Sequence, residues 1–450
     1  MTPAWALFLI DLLSVSAGWP AALWIAGTDW RDNWFPLLAL PLADLVCFYA
    51  LGLYRRDSIA DISKALERVP VIVVIAVTGS SLVTAALGWP FSLSLSIAGV
   101  ICFTASAVLA RLIFKALRRH SVFRTRLLII GAGKRAWDLV WILRTQGRFW
   151  QYDLTFVHED SFGAIDERLA MDSNNRIIVA SSNILKIASR VRADEIVVAP
   201  DDRRGMALES LITCRAAGYP VSEYASFLEK EVCRIDIKRL DLAWLLYSEG
   251  FRTGRLTAIF KRLFDIAGSL AILIPVSPFL LLAMAAVWLG DRGPVFYRQE
   301  RVTRRGRNFR ILKLRTMRVN AEAGGAVWAA ARDSRITPVG EFLRRSRLDE
   351  VPQLLNVLWG DMSLVGPRPE RPEFIEDLAK MLPLYHERHA VKAGLTGWAQ
   401  VNYPYGASLD DARSKLSYDL YYVKNYSLFF DIRIVMQTLR VVLWPGSGVR

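Results

Sequence analysis

The stretch Phe260–Gly293, "FKRLFDIAGSLAILIPVSPFLLLAMAAVWLGDRG", decides how the C-terminal part of this chain meets a membrane. Its apolar core, Leu263 to Leu289, is long enough to cross a bilayer, for which about 20 residues suffice. Two features argue against a crossing. Lys261 and Arg262 precede the core and Arg292, Arg298 and Arg301 follow it, so the positive-inside rule puts both ends on the cytoplasmic side. In its middle, Pro275 and Pro278 each remove a helical N–H and crowd the preceding turn. The pattern predicts a helix–break–helix over 261–290 that enters one leaflet and returns, with Ser277 satisfying a backbone group freed at the break. The alternative is an ordinary kinked span. Labelling of cysteines placed after residue 290 from outside the cell separates the two.

Upstream, the chain is already membranous. Of its 450 residues 53% are hydrophobic and 22% charged, which is too apolar for an ordinary soluble protein. Apolar runs over 4–26, 34–54, 69–87 and 91–114 predict a bundle of four spans in residues 1–120. The first run lacks the basic flank and small-residue cleavage site of a removable signal. Arg55, Arg56, Lys64 and Arg68 in the second connection, and Arg111 to Arg126 after the fourth run, place both ends of the bundle in the cytoplasm. Asp11 and Asp44 are expected to reach the interface from the span ends. The four cysteines form no CxxC pair, so neither a disulfide framework nor a zinc site is expected, and His386 and His389 read as a surface pair.

From about residue 121 the pattern changes to alternating strands and helices. "TRLLIIGAGKRAWDLVWIL" (125–143) reads as strand, glycine turn and helix, and "YDLTFVH", "RIIVA" and "EIVVAP" supply further strands. A Rossmann-like α/β domain over 121–250 is expected. Gly131 and Gly133 fit a dinucleotide fingerprint, with Glu159 or Asp160 available for a ribose; the other reading is a module serving assembly or regulation.

After the membrane stretch, residues 298–318 hold nine Arg or Lys against one acid, Glu300. Adhesion to anionic lipid explains many of them. However, "FRILKLRTM" alternates like a strand, with Ile311, Lys313 and Arg315 on one face, and cations fixed on a strand can hold phosphate. Nucleic acid is a poor fit, because no array of stacking aromatics accompanies the cations. Farther on, "RRSRLDEVPQL" sets Asp349 beside Glu350 among arginines. The pair reads either as a salt-bridged helix start or as chemistry. In the second case an ionised Asp349 attacks phosphorus and Glu350 holds Mg²⁺. Nearby arginines are expected to favour the ionised Asp349.

Residues 255–450 closely resemble the bacterial sugar transferase domain of the monotopic phosphoglycosyl transferases. The likeness rests on "FKRLFDI", "GPVFYRQERVTRRGRNFRILKLRTM", "LRRSRLDEVPQLLNVLWGDMSLVGPRPE", "KAGLTGWAQV" and "YDLYYVKNYSLFFDI", in that order. It implies an α-rich catalytic domain with a re-entrant helix broken at Ser277–Pro278. The implied reaction moves a sugar 1-phosphate from a UDP-sugar to undecaprenyl phosphate with Mg²⁺, initiating exopolysaccharide or O-antigen synthesis. Asp349 is implied as the nucleophile, Glu350 as the metal ligand, and Arg344 and Lys313 as further catalytic residues. Arg315, Arg368 and Asp419 are implied on the substrate side. The setting implied is the bacterial inner membrane, with the catalytic domain facing the cytoplasm, membrane lipid around it and a homodimer as the assembly. Glucose and galactose 1-phosphates are the first candidates for the cargo.

One departure stands out: many relatives carry Asn-Gly-Arg after "GWAQV", whereas this chain has Tyr403 and Pro404 there, so that either another cation, such as Arg413, reaches the diphosphate or recognition differs in this subgroup. Two competing readings are a catalytically inactive scaffold of a polysaccharide assembly complex and a sugar-nucleotide oxidoreductase. The second lacks a Tyr-x-x-x-Lys dyad.

Overall fold

The protein was analysed as a computed structural model, which describes residues 3–27, 34–50, 52–54, 66, 69, 72–79, 93–119, 124–146, 148–159, 163–172, 175–179, 183–202, 206, 208–237, 254–319, 335–403, 406 and 408–443. The chain forms two compact units, Met1–Val232 and Cys233–Arg450.

In the first unit, α1 (Pro3–Ala26), α2 (Trp34–Ala50) and α3 (Leu93–Arg119) are apolar helices. Windows in α1 and α3 are long and apolar enough to cross a membrane, whereas α2 has 17 residues. The expected third span is described only at 69 and 72–79, so the count of four lies partly outside the described residues. Asp11 and Asp44, expected at the interface, are buried within the protein. Asp11 is fully buried against Arg111, and Asp44 accepts from Trp19 Nε1 at 3.0 Å. Arg111 is therefore an internal partner rather than a flanking charge. In hydrocarbon an acid is expected to find such a partner.

The α/β part follows. Strands β1 (Thr125–Ile130), β2 (Tyr152–His158), β3 (Arg176–Val179), β4 (Glu195–Val198) and β5 (Val221–Glu223) form one parallel sheet in the order β3-β2-β1-β4-β5. Alternate residues of β1 feed two cores, as a period of two requires. Leu127 and Ile129 pack with α4 (Lys134–Thr145), and Leu128 and Ile130 pack on the opposite face with Ile184, Ala188 and Cys214. Both faces of the sheet are thus covered, which is why its central strand is continuously apolar.

In the second unit, residues 233–237, read from sequence as part of the α/β domain, belong to the C-terminal core. The Cys233 carbonyl accepts from Trp398 Nε1 at 2.8 Å, and Ile235 is buried beside Leu416 and Leu420. The long helix α5 spans Arg255–Asp291. It is helical throughout, so the expected helix–break–helix is corrected to one unbroken helix containing Pro275 and Pro278. The Ser277 hydroxyl donates to the Ile274 carbonyl at 2.7 Å. That carbonyl is the one Pro278, four residues on, cannot serve, so the serine lowers the cost of keeping the helix intact.

The mid-section of α5 is exposed and apolar, for example Ile274, Phe279, Leu281 and Leu282. Its two ends are not. Toward the start, Lys261, Asp265 and Ser269 are buried, with Asp265 accepting from Leu364 N and Ser363 Oγ, each at 3.0 Å. Toward the end, Ala283 and Val287 pack on Leu314 and Leu343. Both ends lean on residues that follow the helix in the same unit.

The remaining elements enclose a core of Leu354, Val357, Leu364, Trp398, Tyr422, Phe430 and their neighbours. They include an antiparallel hairpin, β6 (Phe296–Val302) with β7 (Asn308–Leu314), and a short parallel pair, β8 (Ser363–Val365) with β9 (Gly394–Thr396). The C-terminal stretch forms two helices, α6 (Leu409–Lys424) and α7 (Leu428–Leu443). Tyr422 and Phe430 are core residues and Phe429 is exposed. His389 is buried and only His386 lies at the surface, so the expected surface pair is corrected.

Candidate active site

Asp349 and Glu350 lie on a single 3-10 turn, Leu348–Glu350, between the helix Pro338–Ser346 and the helix Gln353–Trp359. The first helix starts with a Thr337 cap and a proline in its first turn, and ends where Arg347 takes a left-handed conformation. That reversal aims the two adjacent carboxylates into different surroundings.

Glu350 is held by cations. Lys313 Nζ lies 3.1 Å and Arg368 Nη2 3.0 Å from Glu350 Oε1, and Arg347 Nη1 lies 3.7 Å from Oε2. Burial alone would raise its pKa, but Lys313, Arg368 and Arg347 outweigh it and hold the carboxyl well below the usual range. Burial likewise pushes the Lys313 ammonium down, against the pull of Glu350.

Asp349 is different. It is buried and makes no hydrogen bond or ion pair among the described residues. The expectation that arginines would favour its ionised form is reversed in the net balance. Burial first, and the Glu350 charge second, raise it to about 6 against the opposing Lys313, Arg344 and Arg347. At neutral pH it remains mostly ionised, with unshared lone pairs. The pair therefore divides into one fixed anion and one free carboxylate.

The cations are positioned by backbone clamps. Lys313 is on β7, whose outer edge pairs with no further strand among the described residues. Instead the buried Asn356 side chain takes its place: Nδ2 donates to the Arg310 carbonyl and Oδ1 accepts from Leu312 N, each at 2.9 Å. Replacing Asn356 with Ala should leave both backbone groups unmatched, at ~1–3 kcal/mol each. A fall in thermal midpoint together with weakened activity is expected, and an unchanged midpoint would show that the clamp is dispensable. Arg344 Nε donates to Thr316 Oγ1 at 2.9 Å. Arg368 follows β8 and Gly366, whose backbone packs so closely on Gly394 that a side chain at either position would collide with the backbone opposite.

The model of the family described as "Bacterial sugar transferase" matches residues 256–445. The exopolysaccharide production protein PSS of Rhizobium leguminosarum bv. phaseoli is 38% identical over 196 residues, 42% of this chain and 98% of that protein. This chain belongs to the bacterial sugar transferase family. Another similar protein is the UDP-N-acetylgalactosamine-undecaprenyl-phosphate N-acetylgalactosaminephosphotransferase of Aeromonas hydrophila, 40% identical over 265 residues. That match takes in 58% of this chain and 61% of the relative, so the chain spans less than two thirds of that relative's length. The undecaprenyl-phosphate glucose phosphotransferase of Komagataeibacter xylinus is 28% identical over 435 residues, 89% of this chain and 77% of that protein.

Other residues that the sequence nominated in this sugar transferase have partners of their own. Arg315 is buried beside Gly293, its backbone N–H on the Val295 carbonyl at 2.9 Å. Asp419 is buried in an ion pair with Arg388 at 2.8 Å, and Arg388 also donates to the Arg368 carbonyl at 3.0 Å. Asp419 thus holds the arginine that braces the Pro-Arg-Pro turn. Burial raises it to about 6 despite Arg388. Arg413 is engaged with Asp410 at 2.6 Å, Tyr403 donates to Asp411 at 2.9 Å, and Pro404 lies outside the described residues.

Sequence reasoning missed Arg347, Asn356 and Arg388. Arg347 had a signal in its spacing, three residues before Glu350; the other two act on backbone that is distant in sequence.

At Gly131–Gly133, the N–H groups of Lys134 and Arg135 donate to the Asp201 carboxylate at 2.7 and 2.9 Å. A side-chain anion already occupies the position at which a phosphate would bind a helix start. Glu159 is partly buried, and Asp160 lies outside the described residues.

A divalent cation fits this donor set in a restricted way. No cluster of three or more His, Cys, Asp or Glu assembles among the described residues. Mg²⁺ commonly uses only one or two carboxylates together with substrate phosphates, which matches the Asp349–Glu350 pair.

Proposed function

We propose that this bacterial sugar transferase moves a sugar 1-phosphate from a UDP-sugar to undecaprenyl phosphate through a covalent intermediate on Asp349. The observation that carries the reading is the asymmetry of the acid pair: Glu350 is fixed by Lys313, Arg368 and Arg347, while Asp349 is unpaired among the described residues. An Asp349 oxygen attacks the sugar-bearing phosphorus, a new O–P bond forms, the bridging P–O bond breaks and UMP leaves. An oxygen of undecaprenyl phosphate then attacks the same phosphorus and the Asp349–P bond breaks, which restores the carboxylate. Lys313, Arg344 and Arg368 supply positive charge for the phosphate oxygens in both steps. Glu350 is the residue we assign to hold Mg²⁺, which when bound supplies further charge neutralisation to the diphosphate. Relatives are named for different sugars, N-acetylgalactosamine in one and glucose in another, so the donor class is a UDP-sugar.

We read α5 as a re-entrant element in the cytoplasmic leaflet. In this reading α5 bends at Pro275 and Pro278 without losing its helical backbone, and its two ends both pack on following residues of one unit, which a membrane crossing would separate. We also read the order β3-β2-β1-β4-β5 as Rossmann-like, in a module that serves assembly rather than nucleotide binding, because Asp201 fills the anion position.

The test is to incubate purified enzyme with Mg²⁺ and a panel of UDP-sugars without lipid acceptor, followed by intact mass and peptide mapping. A sugar-phosphate adduct on Asp349 is expected with at least one donor. Failure with every donor, from folded protein, would favour the inactive-scaffold reading.

A further inference from the structure

We propose that the turn of the β6–β7 hairpin forms a second phosphate-binding recess, separate from the acid pair, for the phosphate of a lipid headgroup or of a soluble phosphate compound. The recess has a volume of about 250 Å³ and is lined by Thr303, Arg304, Arg305, Arg307, Asp361 and Lys392. Four cations thus face one carboxylate. Arg307 pairs with Asp361 at 2.8 Å, which neutralises one of them. Arg304 Nε donates to the Ala390 carbonyl at 3.2 Å and keeps its charge. Arg305 and Lys392 make no hydrogen bond or ion pair among the described residues.

This is a built site rather than a loose basic patch. Thr303 Oγ1 donates to the Asp361 carbonyl at 2.8 Å and accepts from Ala393 N at 3.1 Å, which ties three segments together. Thr303 N also donates to the Arg307 carbonyl at 2.9 Å, closing the turn. Arg305 sits at φ 60°, a left-handed conformation that disfavours most side chains other than Asn and Asp.

The recess is remote from Asp349. It lies at the turn end of the hairpin, and Lys313 is five residues along β7 from Asn308, about 17 Å away at the strand rise. The helix Gln353–Trp359 also separates the two, since Glu350 precedes it and Asp361 follows it.

The flank of the recess favours a lipid source. Gly360, between exposed Trp359 and Asp361, would bring an added Cβ to 3.6 Å from both Arg262 Nη2 and Lys392 Nζ. Beside Arg262 on α5, Ile259, Phe260 and Leu263 are exposed. Cations next to exposed aromatic and aliphatic groups suit the headgroup level of a bilayer.

The test measures binding of dihexanoyl phosphatidylglycerol and of inorganic phosphate to full-length protein in a non-ionic detergent. Wild type is compared with Arg305→Glu/Lys392→Glu and with the charge-conserving Arg305→Lys/Lys392→Arg. Charge reversal should weaken binding by about tenfold or more, and charge conservation should retain it. A loss confined to phosphatidylglycerol identifies a lipid source, one confined to inorganic phosphate a soluble source, and a loss of both a site open to either. Adduct formation on Asp349 should be unchanged by the reversal. No binding to wild type, equal binding by the charge-reversed protein, or a parallel loss of the adduct would each overturn the proposal.

Discussion

Replacing Asp349 with Asn should abolish both sugar-phosphate transfer and the covalent adduct, with a loss on the order of 10⁴-fold or more, as expected when a nucleophile is removed. The amide is nearly isosteric, and Asp349 makes no ion pair among the described residues, so the fold should not suffer. Removing a buried carboxylate whose pKa burial has raised also removes a destabilising charge, so the thermal midpoint should hold or rise. That separates loss of chemistry from loss of structure. Glu350→Gln differs: it frees Lys313, Arg368 and Arg347 from their shared anion, and should lower both activity and thermal midpoint. The pH profile follows from the same geometry. Adduct formation should fall as pH drops through about 6, because protonated Asp349 is not nucleophilic, and bound Mg²⁺ should shift that inflection lower. Full transfer by Asp349→Asn, or an inflection above neutrality, would defeat the assignment.

Lys261→Met should be the most damaging substitution to the C-terminal unit outside the site. Lys261 Nζ lies 3.1 Å from Asp265 and 2.7 Å from Asp431, and all three side chains are buried. Asp431 is further bound to the Tyr422 hydroxyl at 2.7 Å. One lysine thus serves two carboxylates that join α5, α7 and β8. Removing it leaves two buried acids without their cation, at a cost of about 3–5 kcal/mol. The thermal midpoint should fall on the order of 10 °C. Adding Asp265→Asn and Asp431→Asn should recover most of the loss, because the amide oxygen introduced at position 265 can still accept from Ser363 and Leu364 N. A Lys261→Met protein as stable as wild type would show that the cluster is not a fastener.

Lys261 also shows where sequence reading reaches its limit. As a charge flanking an apolar run it looked like an interfacial anchor; in the fold it is an internal partner. Arg262, read the same way, donates at 2.6 Å to each of the Val357 and Leu358 carbonyls in the last turn of a helix, where carbonyls are short of intrahelical donors. Local patterns were enough to locate the apolar helices, the parallel strands and the acid pair, because period and spacing are properties of neighbouring residues. The supports of the site are not local. Asn356 reaches β7 across 44 residues, Arg388 braces Arg368 across 20, and Asp201 fills the glycine turn across 67. An asparagine or aspartate carries no mark of a distant backbone partner until the chain is folded.

The seating of α5 has a mechanical consequence. Ala283 and Val287 press on Leu314 and Leu343, the immediate neighbours of Lys313 and Arg344. Any force that tilts the helix is therefore delivered one residue away from two of the cations around the acid pair.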